Sequence, residues 1–277
     1  MAIPNLKMNT GVEIPQIGFG LWQNRDNSEC IESVKLALKA GYTHFDDAQV
    51  YGNEEYLGQA LKEAGAKRAD LFITTKIASS RDGNSNQPAE RLMPSFEESL
   101  TKLQTDYTDL LLLHFPLPGL RQQAWPIMEQ IHESGRSKSI GVSNYTVKHL
   151  EELLKTCKVR PAVNQVELSV GLQQRELVDY CKEQGIIVEA YTPLAEGHFF
   201  KDPTLMEITK KHGKTVPQIM LRWCVDYGAV VLTKSVTPER IKENIDIFDF
   251  KLDADDMAKI KALDQNHRNN WDPTDVA

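Results

Sequence analysis

Short β-rich runs alternate eight times with longer helical runs along the 277 residues, and several of the β-rich runs, such as LLLL, IIV and VVL, are apolar throughout. Strands covered by helices on both faces read this way, without polar alternation. Eight such units in a chain near the ~250 residues this architecture needs predict an α/β fold, a (β/α)8 TIM barrel in one domain over residues 1–277. A doubly wound open sheet is the architectural alternative. No linker, low-complexity stretch or break in composition marks a second domain.

The runs NLKMN and VEIPQ flank Thr10–Gly11 and predict a small hairpin ahead of the barrel. Barrel strands are expected to begin near Ile17, Tyr42, Leu71, Tyr107, Ser137, Pro161, Ile186 and Ala229. The first helix runs from Ser28, a residue type that caps helices, to Ala40. Helices over Glu54–Ala64 and Pro88–Leu103 follow the next two strands. Then come Gln122–Glu133, Val147–Lys155 and Gln174–Glu183, the first and last of these stopping at Gly135 and Gly185. Two helices, Pro203–Lys211 and Pro217–Asp226, separate the last two strands, each with proline where the first turn tolerates it. Pro238–Ile245 follows the final strand, and an amphipathic segment, Asp253–Leu263, precedes a polar tail.

Hydrophobic residues make up 41% and charged residues 26%, a composition that builds a core and excludes disorder as the main state. With 32 Lys+Arg against 39 Asp+Glu, the net charge is −7. A general nucleic-acid binder needs a basic excess, so nucleic acid is not an expected partner. An anionic ligand must instead be held by a local basic cluster against the global field. No stretch reaches the ~20 apolar residues of a membrane span, and MAIPNLKMNTG lacks the basic-then-apolar order of a signal peptide. The cysteines, Cys30, Cys157, Cys181 and Cys224, form no CxxC pair and read as reduced thiols of a cytoplasmic protein. No long outward apolar stripe is left over from the core, so a monomer is expected.

Several familiar motifs fail. Gly18-Phe19-Gly20 does not extend to the GxGxxG of a Rossmann site, and Gly213-Lys214-Thr215 has Ile208 where a P-loop needs glycine. There is no GxSxG and no HExxH. His44, Asp46 and Asp47 lie close in sequence, but strand alternation argues against a site shared by all three, so no metal site is expected. A metal-dependent barrel hydrolase would need His-x-His with acidic ligands, which are missing.

In a barrel, chemistry sits at the C-terminal ends of the strands. Asp46 ends the second strand, Tyr51 follows in its loop, Lys76 ends the third strand and His114 the fourth. Each alone has an ordinary structural reading: a turn cap, a half-buried aromatic, a paired lysine, a core histidine. Together they fit proton donation to a carbonyl. A phenol near pKa 10 is a poor acid at neutral pH, and an adjacent ammonium lowers that value by stabilising the phenolate. Lys76 is placed to do this, at about 3–4 kcal/mol of differential stabilisation, with Asp46 keeping it charged and His114 orienting the carbonyl. A second cluster forms where the last strand meets its helix. There Lys234 and Arg240 converge near Pro238, at a helix N-terminus that favours an anion.

The segments GYTHFDDAQVYGNEEYLG, LFITTKI, YTDLLLLHFP, SIGVSNY, PAVNQVEL, EAYTPLAEG and TKSVTPERIKENIDIFDF resemble successive signatures of the aldo-keto reductases, from about Leu6 to Leu263. The short loops and tail point to resemblance with the compact, mostly microbial or fungal members, such as 2,5-diketogluconate and related carbonyl reductases. The resemblance implies a (β/α)8 barrel with a bottom hairpin and the tetrad Asp46, Tyr51, Lys76 and His114. It also implies NADPH bound extended, without a Rossmann domain. Ser143, Asn144 and Gln165 would hold the nicotinamide carboxamide, and Tyr191 would stack on the ring. Pro193 and Leu194 would lie over the pyrophosphate, and Lys234, Ser235 and Arg240 would grip the 2′-phosphate. Glu243 and Asn244 would meet the adenine, with Gly20, Leu21 and Val236 completing the cofactor contacts. Trp22, Phe115 and His114, with Leu21 and the 195–200 loop, would line the pocket for a small carbonyl substrate. The 79–87 segment and the tail are expected as flexible rims, with Trp271 able to fold over the mouth.

Three positions depart from the commoner pattern: Asp47 after the catalytic-type Asp, Phe115 where Trp is common, and Glu167–Val170, which lacks the usual His-Pro. The function implied is NADPH-dependent reduction of aldehydes and uncharged ketones by hydride transfer, with Tyr51 as general acid. A nicotinamide-binding regulatory barrel that senses redox state with little turnover is the competing reading.

Overall fold

The computed structural model describes residues 3–24, 26–77, 89–116, 118–119 and 121–276. Strands β1 (Asn5–Lys7) and β2 (Glu13–Pro15) pair antiparallel as the predicted hairpin. Eight parallel strands then close a barrel: β3 (Ile17–Gly20), β4 (His44–Asp46), β5 (Phe72–Ile77), β6 (Leu110–Leu113), β7 (Ile140–Ser143), β8 (Val163–Glu167), β9 (Ile187–Tyr191) and β10 (Val230–Thr233). Each contains or closely follows a predicted start, and the closed order β10-β3-β4-β5-β6-β7-β8-β9 decides for the barrel over the open sheet.

The helices are α1 (Asn27–Ala40), α2 (Glu54–Glu63), α3 (Leu92–Leu103), α4 (Arg121–Glu133) and α5 (Val147–Leu154), then α6 (Arg175–Glu183), α7 (Pro203–His212), α8 (Val216–Asp226), α9 (Pro238–Ile245) and α10 (Ala254–Lys261). Asp26, not Ser28, caps α1: its carboxylate accepts from Glu29 N at 3.0 Å, and Ser28 donates to it from inside the first turn. A carboxylate outcompetes the hydroxyl because it also meets the helix dipole. The turn before α3 is 3-10 over Ala89–Arg91; Pro88 and the 79–87 segment lie outside the described residues.

The interior is layered. At the N-terminal end, Met8 and Ile14 of the hairpin pack against Phe72, Leu110, Leu112, Val163 and Val230, closing the barrel floor. The hairpin is fastened there by Asn9 Nδ2, which donates to Pro161 O at 2.9 Å. Above this apolar floor the inward positions turn polar: His44, Lys76, Gln165 and Glu189 are all buried. Strand glycines admit the bulk of their neighbours. A Cβ on Gly141 would stand 2.6 Å from the Val163 carbonyl, and one on Gly18 would stand 2.8 Å from His44 Nδ1.

The backbone at Val163 cannot swing aside as a side chain can. Gly141→Ala is therefore expected to destabilise the fold by about 1–3 kcal/mol through overpacking. The urea midpoint should fall with an unchanged m-value.

Candidate active site

The strand register sets Lys76 on β5 beside the end of β4, where Asp46 closes the strand. Tyr51 reaches the same point from the loop. Gln49–Tyr51 forms a 3-10 turn, and Gly52 takes φ 73° before α2 begins. The loop is pinned from both sides. Gln49 donates to Ser95 O at 2.6 Å and Ser99 Oγ at 2.9 Å, and Asn53 Nδ2 donates to Leu21 O and Asn24 O, each at 2.9 Å.

The Lys76 ammonium is fully buried and uses all three of its donors. It donates to Asp46 Oδ1 at 2.7 Å, to Asp47 O at 2.9 Å and to Tyr51 Oη at 3.2 Å. Burial opposes its charge, but Asp46 and Tyr51 outweigh that and hold the ammonium above its ordinary value. Around Tyr51 the balance runs the other way. Burial outweighs the pull of Lys76 and pushes the phenol up to about 12. The expectation that Lys76 draws this phenol down toward neutral pH is corrected: removing the phenol from water costs more than the ammonium returns.

Asp47 meets the cluster through its carbonyl only. Its carboxylate turns away, accepts from Ala48 N at 2.8 Å, and leaves Oδ2 without a partner. Burial and then the neighbouring Glu54 hold it well above the usual carboxylate range. The second carboxylate beside Asp46 thus leaves the Asp46–Lys76 pair undisturbed.

Behind Asp46 the network continues. Gln165 Nε2 donates to Asp46 Oδ2 at 2.8 Å and to Glu189 Oε2 at 2.6 Å. Burial and the nearby Asp46 push the Glu189 carboxyl up to about 8, and burial brings His44 down to about 4, a neutral ring. Asn144, in the left-handed region at φ 63°, donates to His114 O at 2.9 Å and accepts from the Tyr191 hydroxyl at 2.6 Å. Ser143 Oγ donates to Gln165 O at 2.9 Å. These bonds tie the ends of β6 to β9 into one rim.

Aromatic rings wall the mouth. Trp22 lies 4.8 Å from Tyr51, Phe115 stacks on His114 at 4.4 Å, and Trp271 meets Phe115 edge-on at 5.3 Å. Trp271 does fold over the mouth. The tail, expected as a flexible rim, is fastened instead. Both Glu167 carboxylate oxygens accept from the tail, from the backbone N–H of Asn269 and Asn270 at 2.7 and 2.9 Å, and His267 N donates to Gly171 O at 2.8 Å.

One cavity of about 570 Å³ is lined by Asp46, Tyr51, His114, Ser143, Asn144, Gln165 and Tyr191. Gly20, Trp22, Phe115, Pro193, Leu194 and Lys234 line it too. Leu21 and Lys76 are wholly buried behind its wall. Ser235, Val236, Arg240, Glu243 and Asn244 lie beyond it, on the loop after β10 and on α9. Lys234 and Arg240 are exposed. Ser235 accepts from Thr237 N at 3.1 Å, and Glu243 is bonded to the Thr215 hydroxyl. The N-cap Thr237 makes no side-chain cap bond, so the first N–H groups of α9 keep their capacity for an anion.

Sequence reasoning missed Gln23, Val50, Thr192, Leu232, Thr233 and Asn270 on the cavity wall, while Glu196 stands there from the expected 195–200 loop. It also missed Glu189, whose signal was present: one carboxylate inside the apolar run IIVEAY.

The match to known proteins agrees with this geometry. The model of the Aldo/keto reductase family fits residues 16–265. The chain belongs to that family. It is 44% identical over 271 residues to a glyoxal reductase of Bacillus subtilis, covering 98% of this chain and 96% of that protein. It is 42% identical over 278 residues to the methylglyoxal reductase DkgA of Escherichia coli K12, covering 99% and 98%. A Bombyx mori aldo-keto reductase solved in complex with NADP superposes with a TM-score of 0.88 at 33% identity, covering 97% of this chain and 95% of that one. This chain is thus an oxidoreductase of the aldo-keto reductase family.

Replacing Lys76 removes the partner of a buried carboxylate. Lys76→Met is expected to cost about 3–5 kcal/mol of stability, measured by chemical unfolding against the wild-type protein.

Proposed function

We propose that the protein is an NADPH-dependent carbonyl reductase whose acid is the Tyr51 phenol. The carrying observation is the Tyr51–Lys76–Asp46 chain, ending at a cavity that His114 and aromatic rings share. Bound NADPH would supply the hydride. Gln165, Ser143, Asn144 and Tyr191 would hold its nicotinamide end. Lys234, Ser235 and Arg240, with the open N-terminus of α9, would hold its 2′-phosphate end. The residues fit the group: acceptors and donors line the inner wall with Lys234, while Arg240 and the open helix N-terminus stand beyond it.

Tyr51 accepts a hydrogen bond from Lys76 and so keeps its own proton for the substrate. With the phenol held at about 12, that proton is present throughout the neutral range. It leaves only when negative charge develops on the carbonyl oxygen, and the buried ammonium then stabilises the phenolate. His114 would orient the carbonyl. Lys76, with every donor in use, sits too deep to meet substrate itself.

The substrate class follows from the walls. Trp22, Phe115 and Trp271 favour apolar and planar groups. The relatives named for glyoxal and methylglyoxal point to α-dicarbonyls as the first substrates to try.

Tyr51→Phe should lower turnover of a preferred aldehyde roughly 10²–10⁴-fold, followed as NADPH consumption, while NADPH still quenches tryptophan fluorescence. Unchanged turnover would remove Tyr51 from the acid role. Arg240→Ala should weaken NADPH binding about tenfold, the worth of one charge-assisted hydrogen bond, and leave NADH binding unaltered. Equal losses for both nucleotides would count against a 2′-phosphate site.

A further inference from the structure

Gln165 holds two carboxylates with one amide nitrogen. Both hydrogens of Nε2 are used, one toward Asp46 Oδ2 at 2.8 Å and one toward Glu189 Oε2 at 2.6 Å. The Asp46 carboxylate cannot face an amide oxygen at that distance without repulsion, so Asp46 settles which end of the amide points inward. The end left over is Oε1. It accepts no bond from the described residues and is not among the sealed, unpartnered buried atoms, so it opens on the cavity that Gln165 lines.

The terminal torsion of a glutamine is broad. One anchor at Nε2 leaves the amide plane free to turn. Two anchors in different directions fix it. Asp46 supplies the first and is tied to Lys76. Glu189 supplies the second and has no other work in the site. It is wholly buried, and its Oε1 has no hydrogen-bond partner, with His44 Nε2 at 3.5 Å. A buried carboxyl with one satisfied oxygen is a costly way to fill a barrel, and its one bond is the bond to Gln165.

We propose that Glu189 is a positioning residue that locks the Gln165 amide with its oxygen toward the cavity, so that the site selects a ring substituent carrying N–H donors, the nicotinamide carboxamide. The inference rests on the cofactor reading above. Either charge state of Glu189 serves, because a protonated Glu189 carries its proton on Oε1, beside His44, and leaves Oε2 to accept from Gln165.

The probe is a pair of nucleotides, NADP⁺ and its 3-acetylpyridine analogue, in which a methyl group replaces the carboxamide nitrogen. Dissociation constants come from fluorescence quenching of the intact protein. Wild type should favour NADP⁺ about tenfold, as one hydrogen bond to an ordered acceptor predicts. Glu189→Met, which keeps the volume and removes the acceptor, should cut that preference to about twofold or less. Glu189→Gln should keep most of it, since a side-chain amide oxygen still accepts. A Met variant with the wild-type ratio overturns the proposal, as does a wild type with no preference between two nucleotides it binds. A wild type that binds neither overturns the cofactor reading itself. Should Glu189→Met fail to fold, Glu189→Asp, drawn back by one methylene, must also lower the ratio, and an unchanged ratio there overturns the proposal.

Discussion

The buried ammonium of Lys76 is the constraint on which the site depends. An unpaired charge in a barrel interior is costly, and this one is neutralised by Asp46 and saturated by Asp47 O and Tyr51 Oη. Each partner comes from β4 or its loop, so one interaction sets the end of one strand, the path of the next connection and the place of the phenol. The pinning of Gln49 and Asn53 follows as a need. A phenol carried on a wandering loop would leave the third donor of Lys76 unpaired.

The same network explains why so many acids tolerate burial here. Asp46, Asp47, Glu54 and Glu189 lie within one region around a single ammonium. Only one of them balances it. Asp47, Glu54 and Glu189 are all held above their ordinary values by burial, and Glu189, pushed up to about 8, keeps its proton at neutral pH. Desolvation disfavours charge on these three, and Asp46 is the acid whose carboxylate Lys76 bonds directly. Asp47 escapes conflict by geometry: its N–H still bonds Thr74 O as the strand's would, so alternation turns its side chain away from the cluster while its carbonyl meets Lys76.

The mouth is built differently from the floor. The floor is apolar and closed by the hairpin, and it carries stability. The mouth is made of loops held by few, specific bonds: Asn144 to His114 and Tyr191, and Glu167 to the tail. The Glu167 carboxylate brings Trp271 against Phe115, so the aromatic wall depends on a tail distant in sequence. Pocket shape is therefore a property of chain segments that meet only in the folded state.

Strand and helix order was legible in the sequence because it rests on local periodicity and caps, which neighbouring residues decide. So were Asp46, Tyr51, Lys76 and His114, since polar residues at the ends of apolar strands have few other places to go. The N-cap slipped by two residues, from Ser28 to Asp26, because capping turns on which of two nearby oxygens reaches the N–H group. What only tertiary structure decided were quantities summed over distant parts. The phenol stands near 12 rather than near neutrality because burial from several strands and loops outweighs one close cation. Glu189 turns inward on Gln165, 24 positions away in sequence, and the tail closes on Glu167, 102 positions away. Local pattern carries no record of such distances, since desolvation and hydrogen-bond partnership depend on what the closed barrel brings together.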